Sequence, residues 1–177
     1  MLSDKEIIDG CLRNEPYFQK ILYDKYAKKM YGICLRFAKN RYEADDILQE
    51  AFVKIFKNLS RFTHSGSFEG WIRRTFVNTS INYYKKHSKY NQTQNIDEQW
   101  DLSSNLENPV QKISAEDLLT LINELPDGYR MVFNLFIIEG YSHGEISEMM
   151  GISEGTSKSQ LARARKTLQR KIEELYK

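Results

Sequence analysis

At 177 residues the chain is long enough for one ordinary domain or two small ones, and its 41% hydrophobic and 28% charged residues fit a soluble globular protein. No apolar run approaches the roughly 18 residues a membrane span needs, which excludes membrane insertion; no charged-then-apolar leader opens the sequence, so it is expected to stay in the cytoplasm. The net charge of +2 hides an uneven distribution: residues 1–90 hold 17 Lys/Arg against 10 Asp/Glu, residues 91–112 hold 1 against 4, and residues 113–177 hold 8 against 10.

Two windows concentrate the positive charge. Residues 70–90 carry 5 basic and no acidic side chains, and residues 156–177 carry 7 basic and 2 acidic ones, a pattern that suggests two contacts with a polyanion. Cys11 and Cys34 form no C-x-x-C pair and no metal-ligand spacing, so both are expected as reduced thiols at or near a core.

In chain order, "SDKE" (Ser3 to Glu6) is a capping box that opens a first helix. A second helical stretch follows Pro16, with Phe18, Ile21, Leu22, Tyr26, Met30, Ile33 and Phe37 spaced by three and four. "EADDILQEAFVKIF" repeats that pattern with Ile47, Leu48, Ala51, Phe52, Ile55 and Phe56, while its opposite face carries Asp45, Asp46, Gln49 and Glu50. "SRFTHSGS" breaks the period and reads as a loop containing Arg61, Phe62, Thr63 and His64. The helical period resumes in "SFEGWIRRTFVNTSINYYKK", with Phe68, Ile72, Phe76, Thr79 and Tyr83 on one side. Arg73, Arg74, Asn78, Lys85 and Lys86 are polar positions available on the rest of it.

Periodicity is lost from residue 87 to residue 112, a polar segment too poor in apolar residues to offset its ordering entropy. It reads as a flexible linker, with domains expected at 1–90 and 113–177 on either side of 91–112. Beyond it, "AEDLLTLINELP" is helical, "YRMVFNLFIIEG" is apolar enough for the central helix of a small bundle, and "SHGE" (Ser142 to Glu145) caps a short helix through Met150. Gly151 ends that helix and Ser153 is placed to cap a long basic one from Glu154. With no period-2 strand signal, the chain reads as all-α: two small helical domains, the C-terminal one a helix-turn-helix.

In that last helix Leu161, Ala164, Leu168, Ile172 and Leu175 make a packing stripe, and Lys158, Ser159, Ala162 and Arg163 lie together on another face. Small and cationic residues let a helix approach the major groove, where Arg pairs with guanine edges and Ser or Lys meets bases or phosphates. Thr156 and free N–H groups at the helix start are suited to a phosphate.

The order of these pieces resembles the extracytoplasmic-function (ECF) sigma factors of bacteria. The C-terminal likeness rests on Leu125-Pro126, Tyr129-Arg130, Glu139-Gly140, Ile146, Gly151-Ile152-Ser153, Gly155-Thr156 and Ala162-Arg163-Ala164-Arg165. The N-terminal likeness rests on "DDILQEAFVKIF" and on Phe62, Phe68, Trp71 and Asn78. The resemblance implies core RNA polymerase and promoter DNA as partners, an anti-sigma factor as a restraining partner, and no cofactor. It implies polymerase docking by Asp45, Asp46, Gln49 and Glu50. It implies capture and holding of the −10 strand by Arg61, Phe62, Thr63, His64, Arg73, Arg74, Asn78, Lys85 and Lys86, with Trp71 in the core rather than stacking on a base. The −35 element falls to Lys158, Ser159, Ala162 and Arg163, with Thr156 and Arg165 nearer the backbone. Ser157 departs from the family, which usually has an apolar residue there.

A helix-turn-helix regulator acting alone is the first alternative; it leaves the Asp45–Phe56 and Phe68–Lys86 helices without a purpose. An enzyme is the second, and it is disfavoured because His64, His87 and His143 are scattered and no nucleophile elbow, phosphate loop or paired-His motif accompanies them.

Overall fold

Local capping signals determine where the N-terminal helices begin. In the computed structural model, which describes residues 2–88 and 113–175, Ser3 Oγ accepts from Glu6 N–H and Ser3 N–H donates to Glu6 Oε2 at 2.8 Å, starting α1 (Asp4–Leu12). Pro16 occupies the first turn of α2 (Pro16–Phe37), where its missing N–H costs no hydrogen bond. Asn40 caps α3 (Arg41–Asn58) by accepting from Glu43 N–H at 2.9 Å, and the helix tightens into a 3-10 turn at Leu59–Arg61. Gly66, at φ 139°, leads into α4 (Phe68–Ser88). These four helices pack around Leu22, Met30, Ile47, Ile55, Ile72 and Phe76. Both cysteines are buried and free, and burial pushes the Cys34 thiol up to about 12.

In the C-terminal half Ser114 caps α5 (Ala115–Asn123), and α6 (Asp127–Phe133) follows Pro126. The apolar run expected as one continuous helix instead changes form: Asn134–Ile138 is π-helical, closed by Glu139 N–H donating to Asn134 O at 2.9 Å. Asn134 and Glu139 are five residues apart and would stand on diverging faces of an α-helix at 3.6 residues per turn. The wider turn turns both toward α2, where Asn134 Nδ2 donates to Arg36 O and Arg36 donates to Glu139. Helices α7 (His143–Met150) and α8 (Glu154–Leu175) are joined through Gly151. The glycine sits at φ 71°, ψ 38°, left-handed backbone that a side chain would strain. All regular structure among the described residues is helical.

The two halves share a core. Met131, Val132, Leu135, Ile146, Met150 and Leu161 belong to the same buried cluster as the N-terminal bundle, while Leu121, Ile122, Leu125, Ala164 and Leu168 form a second, purely C-terminal one. Polar contacts reinforce the junction. The Glu139 side chain, 2% exposed, receives Arg36 Nη2 at 3.0 Å and Arg73 Nε at 2.7 Å, and Lys39 pairs with Asp127 at 2.7 Å. The expected linker at 91–112 lies outside the described residues.

Gly10 on α1 lies against the Phe18 ring of α2: a Cβ there would overlap Phe18 Cγ and Cδ2. Gly10→Ala is expected to destabilise the protein by about 1–3 kcal/mol through overpacking. A urea midpoint equal to that of the unaltered protein would refute this close approach.

Candidate nucleic-acid interface

Three surfaces carry the residues singled out from the sequence. The first is the outer face of α3. Ala44, Ile47, Ala51, Phe52 and Ile55 are buried, which leaves Asp45, Asp46, Gln49 and Glu50 in solvent by helical geometry alone. Asp46 accepts from Tyr83 Oη at 3.4 Å and Glu50 pairs with Lys54 at 2.6 Å. The hydrogen bond to Asp45 raises the Tyr31 hydroxyl above the usual phenol range. An open groove runs here between Gln49, Glu50 and Val53 on α3 and Tyr83 and Lys86 on α4. Val53 was not anticipated: it is 49% exposed amid the charged residues, and its only sequence signal is an apolar side chain outside the packing stripe.

The second surface runs along α4. At its start the loop holds Phe62 half-buried against His64, Phe68 and Trp71, with ring centroids 4.8, 5.1 and 5.7 Å away. Trp71 stacks on Phe68 and packs on the core, as its helical spacing suggests. His64 adopts φ 57°, a left-handed conformation uncommon without glycine, and Thr63 Oγ1 lies 2.8 Å from Ser65 Oγ. Arg61, Thr63, His64, Arg74 and Asn78 are exposed. Lys85 and Lys86 stand at the far end of α4, about 25 Å from the loop at 1.5 Å per residue. Lys86 borders the α3 groove there, so the candidate −10 residues form a track rather than one pocket.

Arg73 differs from its expected availability. Its hydrogen bond to Glu139 holds the guanidinium above its ordinary pKa, and the side chain faces the C-terminal half. Arg74 lies close enough to Tyr141 and Glu145 to influence both electrostatically. Periodicity placed these arginines outside the α4 stripe, but it carries no information about a second half packing over them.

The third surface is the face of α8 opposite its packing stripe. Ser157, Leu161, Ala164 and Leu168 are buried, Ile172 is half-buried, and Leu175 is exposed where the helix outruns its partners. Lys158, Ser159 and Arg165 stand in solvent, with Ala162 and Arg163 half-buried beside them. Arg163 Nη1 donates to Tyr129 Oη at 3.4 Å, and Lys158 lies 3.6 Å from Glu154. Thr156 is less available than expected: its N–H donates to the capping Ser153 Oγ at 3.0 Å and its hydroxyl lies 2.9 Å from the same atom. The cap has taken the donor that a phosphate would use.

No group of three or more His, Cys, Asp or Glu among the described residues is arranged to hold a metal ion, and no described helix is long and apolar enough to cross a membrane.

Comparison with known proteins agrees with this geometry. Residues 22–90 match the family described as sigma-70 region 2, and residues 115–168 match sigma-70, region 4. The ECF RNA polymerase sigma factor SigM of Bacillus subtilis is 32% identical over 149 residues, covering 83% of this chain and 90% of that protein. The ECF RNA polymerase sigma-E factor of Escherichia coli K12 is 25% identical over 187 residues, covering 99% and 97%. Among solved structures, the sigma factor RpoE of Bartonella quintana, bound to the anti-sigma factor NepR, is similar with a TM-score of 0.54 and 19% identity over 87% of this chain and 96% of that one. CnrH bound to the cytosolic domain of CnrY has a TM-score of 0.50 and 18% identity over 96% and 97%, so both share the fold. This chain therefore belongs to the ECF sigma factors, the RNA polymerase sigma subunits that direct transcription initiation.

Proposed function

We propose a division of labour along this sigma factor: residues 1–90 dock on core polymerase and take the −10 element, residues 91–112 connect, and residues 113–177 read the −35 element. One observation carries it most directly. The acidic face of α3 and the small, basic face of α8 are exposed on opposite halves of the chain, each opposite a buried stripe. On α3, Asp45, Asp46, Gln49 and Glu50 offer carboxylates and an amide to basic partner side chains, and Val53, one turn further on, adds an exposed apolar contact.

Along α4 the Phe62 aromatic cluster and the Arg61–Ser67 loop receive an unstacked base, whose lost stacking an aromatic surface replaces. Asn78, Arg74, Lys85 and Lys86 follow the strand from there, and Arg73 joins them once Glu139 releases it. On α8, Lys158, Ser159, Ala162 and Arg163 face the major groove, with Arg165 toward the backbone and Thr156 limited to its side chain. The protein works in the cytoplasm, performs no catalysis of its own, and is restrained by an anti-sigma factor, in keeping with the anti-sigma partner of RpoE.

Two elements named −35 and −10 stand about 25 base pairs apart, or about 85 Å of duplex at 3.4 Å per step. A chain of this length packed as one body has a radius of gyration of only about 16 Å. The packed arrangement must therefore open when both elements are engaged.

Asp46→Arg is expected to weaken core-polymerase binding by roughly tenfold with folding intact, measured by competition with the unaltered protein; undiminished competition removes the docking assignment. Arg163→Ala is expected to cost about 1–3 kcal/mol of promoter discrimination in transcription with core polymerase. An equal loss on every promoter would mean a phosphate contact instead. Glu139→Gln, which withdraws the charge shared by Arg36 and Arg73, is expected to enlarge the radius of gyration of the free protein in X-ray scattering. An unaltered radius would show that the remaining contacts hold the halves together without the Glu139 charge.

A further inference from the structure

Ser157 is the polar member of an otherwise apolar buried stripe with Leu161, Ala164 and Leu168, and the structure gives it a specific partner. The side chain is fully buried on the packing stripe of α8, and its Oγ shares a hydrogen bond of 2.8 Å with Nδ1 of His143. A buried hydroxyl without a partner is strongly penalised, so this bond accounts for serine at a position otherwise suited to an apolar contact.

His143 is itself held in place. Its ring stacks on Phe136 of the π-helical stretch, with centroids 4.4 Å apart and planes at 22°. It is the first residue of α7, about 10 Å along that helix from the Gly151 turn. The turn joins α7 and α8 at one place, and a hinge of that kind leaves the angle between two helices adjustable. A second attachment at the far end of α7 removes that freedom. Gly144, next to His143, has the Glu154 side chain of α8 beside it at ordinary contact distance: a Cβ there would stand 3.5 Å from Glu154 Oε1. The start of α7 is therefore held to the first turn of α8 by the Ser157–His143 hydrogen bond.

The bond differs from an apolar contact in being directional. A valine at this position would pack acceptably over a range of helix rotations, whereas a hydroxyl must meet one nitrogen at one distance and angle. Side-chain heads lie about 5–6 Å from a helix axis, so a roll of about 20° moves them about 2 Å. That displacement exceeds the tolerance of a hydrogen bond to a base edge. Lys158 and Ser159 follow Ser157 directly, and Ala162 and Arg163 come one turn later.

We propose that the Ser157–His143 hydrogen bond, backed by Phe136, sets the roll of α8, making Ser157 and His143 positioning residues for base reading at the −35 element. This rests on the assignment of α8 to that element. It predicts that removing the bond changes which bases are preferred, and does not merely lower activity.

The test uses full-length protein reconstituted with core polymerase on a promoter library randomised at the −35 element, with the transcripts sequenced. Ser157→Ala removes the hydroxyl and His143→Phe retains a ring to stack on Phe136. Each is expected to reduce the preference for the best −35 sequences over the median by about 5–10-fold, the low end of the range for a lost base contact. Ser157→Thr, which keeps a hydroxyl, is expected to retain most of the preference. The double variant should lose little more than either single one, because both remove the same bond. Thermal unfolding of each variant separates positioning from stability, since a purely structural role would lower transcription on all library members alike. That uniform loss, or an unchanged base preference in Ser157→Ala, overturns the proposal. A library in which the unaltered protein shows no −35 preference instead overturns the assignment of α8.

Discussion

The C-terminal end of α2 is the point on which the arrangement of the two halves depends. A helix ends with carbonyls that have no partner within it, and burying them unpaired is costly. Here the carbonyls of Arg36 and Phe37 accept from Asn134 Nδ2 at 2.7 Å and Arg130 Nε at 3.4 Å, donors supplied by the other half of the chain. Arg130 also brings a positive charge to the negative end of the helix dipole. It is 3% exposed, and its remaining N–H groups reach Asn123 O, Leu125 O and Asp127 Oδ1, so the buried charge is compensated. The same guanidinium thus closes the α5–α6 turn and caps α2.

Around that point the electrostatics favour the closed form without making it permanent. Glu139 is nearly inaccessible, and each of its carboxylate oxygens receives an arginine from a different N-terminal helix. Arg36 and Arg73 remain partly exposed, at 23% and 42%, so water and salt weaken their attraction. A polyanion competes for such arginines on favourable terms, because it offers many charges and releases counterions as it binds. Closure and promoter engagement draw on the same side chain, which links the shape of the free protein to the reading proposed for α4.

The C-terminal half shows how a buried hydroxyl is accommodated. Ser157 lies on a buried, otherwise apolar stripe, and the cost is met by a histidine at the start of the preceding helix. The histidine in turn is held by an aromatic ring on a π-helical turn, and that turn exists where Asn134 and Glu139 both reach α2. Packing between the halves and the seat of α8 therefore meet in one short segment, Asn134 to His143.

The helices themselves were legible in the sequence because they depend on neighbours three or four residues away. The capping boxes at Ser3 and Ser142, the stripes of α3 and α8, the Gly151 turn and the solvent placement of Asp45, Asp46, Gln49 and Glu50 all follow from local spacing and a single buried face. The ECF likeness was readable for the same reason, since its motifs are runs of adjacent residues. Only the tertiary structure decided what depends on residues distant in the chain. It paired Arg73 with Glu139, moved Lys86 to the α3 groove, spent the Thr156 N–H on a cap and gave Ser157 its histidine. It also turned an apolar run into a π-helical one, because the demand for that turn comes from α2, about a hundred residues earlier. Periodicity states which face of a helix is covered; only packing determines what covers it.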